Sequence, residues 1–376
     1  MNLLNALKAR QKVIHQHPAP EHGGKLLQAA AGSLHPVDHW LDLSTGINPQ
    51  PWCVSTADST ASHKLPEDLH ALVDAARSYY FRHCTQPDHI DLIAAPGSQW
   101  IIQHLPRIVA SACGTMTPVR VWVPDIGFAE HAYWWEHYGH QVEPYREAAL
   151  GERLTQRITA DVVVIINPNN PSTQLVDSQL IHQAAARHSA TMFVVDEAFI
   201  DTQPQQSMLS KPLPDNVVVL RSMGKFFGLA GLRVGVCAAN RAICQLLTTE
   251  LGPWPIATAS QQLATQALLD QPWQQQAMKQ LQQRSTLLAD ELNHTIPGAL
   301  PGTQVLQSDL FVTLQCTCAN TARYLHEALM EQAVLTRLFV SQGLVRVGLV
   351  RPVQDKVFSE RLRQALDNIS TTLNLS

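Results

Sequence analysis

The sequence predicts an α/β fold, with a large domain built on a mostly parallel central sheet and a small α+β domain behind it. Two observations carry this expectation. Between residues 91 and 238, short β-branched runs alternate with helical stretches. Strand runs separated by helices build parallel sheets covered on both faces. After about residue 255 the texture changes to two long helical stretches and then a compact mixture of strands and helices. At 376 residues the chain is long enough for one large domain and a smaller one. The expected divisions are 1–40 for an N-terminal segment, 41–265 for the large domain and 266–376 for the small one.

The β-branched runs place strands at 91–94, 119–123, 162–166, 192–195, 217–220 and 233–238. Helical patterns such as 98–110 and 177–188 lie between them. Two long helices are expected at 256–269 and 273–294, the second rich in Gln and Leu. A strand at 309–315, a helix at 320–333, strands at 334–339 and 344–350, and a last helix from 353 to about 373 complete the chain. Ligands of such sheets bind in the loops at the carboxyl ends of the strands. The chemistry-bearing residues are therefore sought there.

Composition narrows the function classes. Charged residues make up 15% and apolar residues 45%, a globular balance and neither a disordered nor a membrane one. The formal net charge of −4 gives no support for a nucleic-acid partner. The seven cysteines are Cys53, Cys84, Cys113, Cys237, Cys244, Cys316 and Cys318, with no Cys-x-x-Cys pair. Scattered cysteines in odd number read as reduced thiols in a cytoplasmic protein rather than as a metal site. Cys316 and Cys318, two apart on an expected strand, would face the same way. Residues 1–17 lack an apolar signal-peptide core, and no run approaches the ~18–20 apolar residues that span a bilayer. Neither export nor membrane insertion is expected.

The most informative stretch is Ser222-Met223-Gly224-Lys225, followed eight residues later by Arg233 in Gly-Leu-Arg-Val-Gly. It reads as a lysine able to hold an aldehyde cofactor as a Schiff base, with a serine and an arginine placed for a phosphate. The apolar flank Phe226-Phe227 desolvates the amine and lowers its pKa, as Schiff-base formation requires. Asp196 ends the strand at 192–195. It is either a cap for the next segment or a carboxylate that needs a cationic partner. Asn170, in Asn-Pro-Asn-Asn-Pro, is a turn residue or a donor. Gly97-Ser98-Gln99 follows the strand at 91–94 and opens a helix, where backbone N–H groups bind phosphate and glycine permits close approach. Phe128 is a candidate to stack on a cofactor ring. Arg337 and Arg346 both lie within apolar strands, where an arginine wants an anion. They serve internal salt bridges or a substrate with two anionic groups, and Arg351 is a third candidate.

The order Asn170, Asp196, Lys225, Arg233 resembles the cofactor site of pyridoxal-phosphate (PLP) enzymes of fold type I, the aspartate aminotransferase-like fold. Within the class-II aminotransferase branch, the chain is similar to the L-threonine-O-3-phosphate decarboxylases of cobalamin biosynthesis, with histidinol-phosphate aminotransferases as near relatives. The likeness begins at His22-Gly23-Gly24 and continues through residues 41–49, Leu-Asp-Leu-Ser-Thr-Gly-Ile-Asn-Pro. Pro-Gly-Ser-Gln, Gly-Phe-Ala-Glu, Asp-Glu-Ala-Phe-Ile-Asp and Gly-Pro-Trp-Pro follow in the family's order.

The resemblance implies roles. Lys225 and Asp196 would be the catalytic pair, Asp196 holding the ring nitrogen's proton and Asn170 donating to the 3′ oxygen. Gly97, Ser98, Gln99, Ser222 and Arg233 would hold the cofactor phosphate, with Phe128 on the ring. Arg346 would bind the substrate carboxylate and Arg337 its phosphate, with His22 and Asn48 lining the substrate end. No metal is implied. The implied partners are a phosphorylated amino acid and a second copy of the chain. The implied reaction is decarboxylation of L-threonine O-3-phosphate, with transamination of histidinol phosphate or another amino acid as the alternative and a non-catalytic PLP-binding protein as a remote one. Residues 1–40 would pack on the small domain.

The chain departs from the aminotransferase pattern at three positions. Phe199 stands where a tyrosine usually follows the ring-binding aspartate, as it also does in the decarboxylases. Thr173 replaces the glycine of the usual Asn-Pro-Thr-Gly turn. Leu65 replaces a tyrosine that reaches the neighbouring subunit's cofactor.

Overall fold

The computed structural model describes residues 19–53, 63–66, 68–112 and 118–374. Cys113 and the N-terminal stretch 1–17 lie outside the described residues. The chain begins with helix α1 (Leu26–Ala30), strand β1 (Leu41–Asp42) and helix α2 (His70–Tyr80). There follow β2 (Ile90–Ala95), α3 (Ser98–Ala112), β3 (Arg120–Pro124), α4 (Glu130–His137), β4 (Gln141–Tyr145) and α5 (Leu150–Thr155). Next come β5 (Val162–Ile166), α6 (Ser178–Arg187), β6 (Met192–Asp196), β7 (Val217–Ser222) and β8 (Gly235–Asn240). Helices α7 (Arg241–Leu251), α8 (Thr258–Leu269) and α9 (Gln271–Ala299) lead to β9 (Gln304–Ser308), β10 (Phe311–Gln315) and α10 (Ala319–Glu331). The last elements are β11 (Val334–Leu335), β12 (Arg337–Phe339), β13 (Leu344–Gly348) and α11 (Asp355–Asn374).

Among the described residues the large sheet has the order β2-β8-β7-β6-β5-β3-β4. Only β8 is reversed, pairing antiparallel with both β2 and β7. The α/β class and the mostly parallel sheet are as the sequence predicts. Every residue of β5 is buried, which is why this strand reads as an unbroken apolar run. Alternation sends Val163, Ile165, Val195 and Val219 into the core on one face. Val162, Val164, Val194 and Val218 enter the core on the other. The helix starts have local causes: Asp177 accepts from Gln179 N, Asn240 from Ala242 N and Asp270 from Trp273 N.

A second, antiparallel sheet has the order β12-β13-β10-β9. Here the structure corrects the reading of 334–339 as one strand. Val334–Leu335 pairs in parallel with β1, and Arg337–Phe339 pairs with β13. Strands β4 and β9 lie outside the sequence expectation because both are sheet edges. Gln141-Val-Glu-Pro-Tyr is polar and carries a proline, as an exposed edge allows. The expected strand at 233–238 starts at Gly235 instead, because Arg233 takes a left-handed φ of +52°. Cys316 and Cys318 do not share a strand face. β10 ends at Gln315, Cys316 is buried, and Cys318 is exposed at the head of α10.

Ala30 and Trp40 pack with Ala333 and Leu335 in a small apolar cluster. Arg361 Nη1 donates to His39 O at 2.7 Å. These contacts hold the segment before β1 against β11 and α11, and residues 20–23 reach the wall of a cavity beside the large sheet. No helix among the described residues is long and apolar enough to cross a membrane.

Candidate active site

Strands β2, β5, β6 and β7 end on one edge of the large sheet, and the reversed β8 starts there. Gly235 pairs with Ala95 on one side and Ser222 on the other. A Cβ at Gly235 would lie 2.2 Å from Ser98 N. The Gly97–Ser98 turn therefore reaches β8 only because residue 235 has no side chain. Gly97 itself takes φ +80°, and a Cβ there would lie 2.8 Å from Arg233 Nη2. One strand further, Asp196 pairs with Ile166 and Leu220.

These loops close around a cavity of about 170 Å³. Its wall brings together all nine residues expected to hold a cofactor: Gly97, Ser98, Gln99, Phe128, Asn170, Asp196, Ser222, Lys225 and Arg233. Asp196 is buried; its Oδ1 accepts from Ala198 N at 3.0 Å and its Oδ2 from His131 Nε2 at 2.9 Å. His131 is a site residue that the sequence reading missed. The available signal was its position three residues after Phe128 at the head of α4, a spacing that puts both on one face.

Lys225 follows β7 in a turn closed by Gly224 N donating to Ser222 Oγ at 3.2 Å. Burial, then the neighbouring Arg346 charge, lower its amine from 10.5 to about 8, with Arg233 adding and Asp196 opposing. Its Nζ lies 5.2 Å from the centre of the Phe199 ring. Phe199 packs edge-on against Phe311 at 5.2 Å and, having no hydroxyl, offers no donor. Thr173 takes φ +68°, so the turn keeps the backbone shape that favours glycine although the residue is β-branched. Leu65 is 65% exposed.

A second cavity, of about 640 Å³, shares Phe128, Asn170 and Lys225 with the first. It adds His22, Arg337 and Arg346. Arg346 Nη1 donates to Asn170 Oδ1 at 2.5 Å and Nη2 donates to Ser44 O, while the buried Nε has no partner. Burial first, then Arg337, push the Arg346 guanidinium down to about 10, against the pull of Asp42. Arg337 sits directly across the strand pair from Arg346, and its Nη2 donates to Glu21 O at 2.6 Å. Like charges facing each other across a strand pair destabilise it.

Two expectations do not match these walls. Asn48 lines neither cavity: its Nδ2 donates to Phe226 O at 2.9 Å and its Oδ1 accepts from Gln50 N at 2.8 Å. Its own N–H donates to Lys225 O at 3.0 Å. Asn48 thus braces the lysine loop from behind, because both ends of its amide are consumed by backbone. Arg351 is exposed and lines neither cavity.

Pyridoxal phosphate asks for a lysine of lowered pKa, a carboxylate for its ring nitrogen and donors for its phosphate. The smaller cavity supplies a lysine near 8, a carboxylate fixed by two hydrogen bonds, and an arginine against a glycine turn at a helix start. Asn170 has its oxygen taken by Arg346, which leaves its Nδ2 as a donor. The residues present fit the group.

The family described as aminotransferase class I and II matches residues 40–362. A threonine-phosphate decarboxylase of Pseudomonas aeruginosa is 35% identical over 88% of this chain and 92% of its own. One from Sinorhizobium is 33% identical over 92% of this chain and 97% of its own. Among solved structures, a histidinol-phosphate aminotransferase from Sinorhizobium meliloti, in complex with pyridoxal-5'-phosphate, superimposes with a TM-score of 0.73 at 18% identity. That match covers 94% of this chain and 99% of the other, and shows the shared fold. The chain belongs to the aminotransferase class I and II family, a family of enzymes.

Proposed function

We propose that this member of the aminotransferase class I and II family is a pyridoxal-phosphate-dependent decarboxylase. Its substrate is L-threonine O-3-phosphate, and its products are CO2 and (R)-1-amino-2-propanol O-2-phosphate. The observation that carries the reading is the cross-strand pair Arg337 and Arg346 in the wall of the cavity that opens on Lys225. Two opposed, partly or fully desolvated guanidiniums are costly alone and are relieved by a ligand with two anionic groups. L-Threonine O-3-phosphate has a carboxylate and a phosphate; histidinol phosphate has only a phosphate. The two decarboxylase relatives at 35% and 33% identity point the same way.

In this reading Arg346 takes the carboxylate, being the one of the cross-strand pair whose charge reaches Lys225, and Arg337 takes the phosphate. Pyridoxal phosphate, when bound, supplies an electron sink conjugated to the substrate nitrogen. Asp196, steadied by His131, would hold the proton of the cofactor's ring nitrogen, and Asn170 Nδ2 would donate to its 3′ oxygen. Ser222, Arg233 and the Gly97–Gln99 turn would hold its phosphate. Fixing the substrate at both anionic ends chooses which Cα bond is cleaved. The Cα–carboxylate bond breaks, its electron pair stays on Cα, CO2 leaves, and Lys225 Nζ or a water delivers a proton to Cα. Phe199 supports this outcome over transamination, since the usual tyrosine donor is missing.

The likeness to threonine-phosphate decarboxylases supports a place in cobalamin biosynthesis, and the scattered, unpaired cysteines support a cytoplasmic location. The exposed apolar side chains of Leu65 and Trp254, at 65% and 57%, are compatible with burial in a homodimer. The test is CO2 release from L-threonine O-3-phosphate by the PLP-loaded protein with no 2-oxo acid present. Release that Lys225→Ala abolishes is expected. No release, together with conversion of the cofactor to its amine form by histidinol phosphate, would make the protein an aminotransferase.

A further inference from the structure

Glu130 is a buried carboxylate between the two cavities. Its Oε2 accepts from Gln99 Nε2 at 2.5 Å and from Trp134 Nε1 at 2.6 Å. Its Oε1 faces His22 Nε2 at 2.6 Å. Gln99 lines the smaller cavity and His22 the larger. Gln99 and Trp134 are neutral, so among the described residues His22 is the only ion-pair partner of this carboxylate. A buried carboxylate held only by neutral donors is costly.

The segment around His22 is fixed on three sides. Gly24 N donates to Ser44 Oγ at 2.7 Å, and a Cβ at Gly23 would lie 2.4 Å from Ser44 O. The His22 ring lies 5.7 Å from the Phe128 ring, tilted by 45°. On its other side, Arg337 Nη2 holds Glu21 O. The imidazole therefore stands in the wall of the larger cavity, which also carries Arg337. Its Nε2 is committed to Glu130, while Nδ1 has no partner among the described residues.

We infer that Glu130 is a positioning residue for substrate recognition, holding His22 so that Nδ1 serves with Arg337 as a second contact for the substrate's phosphate. The inference rests on the proposed phosphorylated substrate. The chemistry follows from donor accounting. With the Nε2 proton donated to Glu130, an anion at Nδ1 requires a second proton there, and the ring then bridges two anions as an imidazolium. In Glu130→Gln the amide keeps the shape, and its NH2 faces Nε2. That drives the ring proton to Nδ1 and leaves a neutral donor.

The test is calorimetric binding of two probes to the PLP-loaded Lys225→Ala protein, which cannot turn over: O-phospho-L-threonine and L-threonine. Glu130→Gln weakens O-phospho-L-threonine on the order of tenfold, as a charge-assisted hydrogen bond becomes a neutral one, and leaves L-threonine unchanged. In a His22→Ala background the same substitution has no further effect, because the two residues act as one unit. Equal weakening of both probes would overturn the inference and make Glu130 a structural prop of the cofactor wall. Unchanged binding of both would overturn it as well. A parent protein that holds O-phospho-L-threonine no better than L-threonine would instead sink the phosphorylated-substrate reading beneath it.

Discussion

In the cofactor-free protein the Lys225 amine is set near 8 rather than 10.5. At pH 7 a pKa of 8 leaves about one amine in eleven neutral, whereas a pKa of 10.5 leaves about one in three thousand. The site thus raises the nucleophilic fraction by a factor of roughly 300, or about 3 kcal/mol of differential stabilisation. The causes make the shift directional. Burial is the largest, Arg346 and Arg233 push the same way, and Asp196 pushes back. Arg346→Gln should therefore move the midpoint up, by as much as about one unit for a close charge. Asp196→Asn should move it down. The assay is competitive acetylation of the cofactor-free protein across pH 6 to 11, read by mass spectrometry on the peptide carrying Lys225. A midpoint near 8 is expected, with the two variants displaced in opposite directions. A midpoint near 10.5, or both variants moving the same way, would refute the electrostatic account.

Three further outcomes follow from named contacts. Arg337→Gln removes a cross-strand repulsion, so it should leave the fold as stable or more stable by a few tenths of a kcal/mol. The same substitution should raise KM for L-threonine O-3-phosphate tenfold or more; denaturant titration and kinetics check the two halves. Thr173→Gly relieves a left-handed backbone that costs a β-branched residue about 1–2 kcal/mol, less about 0.5–1 for glycine's freedom in the unfolded chain. A net gain between about 0 and about 1.5 kcal/mol in urea unfolding is expected, and a loss would show that the threonine side chain holds the loop. Gly235→Ala places a methyl on Ser98 N, and should cost about 3 kcal/mol and release the cofactor on dialysis.

The parts of the fold legible in the sequence are those whose burial is continuous. β5 and β7 are buried along nearly their whole length and read as apolar runs. Edges such as β4 are half polar and give no such pattern. The pairing of β1 with β11 joins residues almost three hundred apart, which no local period encodes. At the site, the meeting of Lys225, Asp196 and Arg233 in one cavity wall was legible because their residue types and order match a cofactor site. Asn48 was misplaced because Asn-Pro names a turn but not the direction of its amide, which here is spent on Phe226 O and Gln50 N. His131 was missed because a lone histidine in an aromatic helix gives no sign of its partner until Asp196 is brought to 2.9 Å. The glycines at 97 and 235 reveal their purpose only through the close approach they permit.

On the proposed function, this site cleaves the bond from Cα to the carboxylate and leaves the bond from Cα to hydrogen intact. The direct measurement is the isotope content of the product made from L-threonine O-3-phosphate in D2O, with PLP-loaded protein and no 2-oxo acid. One deuterium should be delivered to the carbon that lost CO2, with the original α-hydrogen retained beside it. Loss of the α-hydrogen from unconsumed substrate, without CO2, would contradict it.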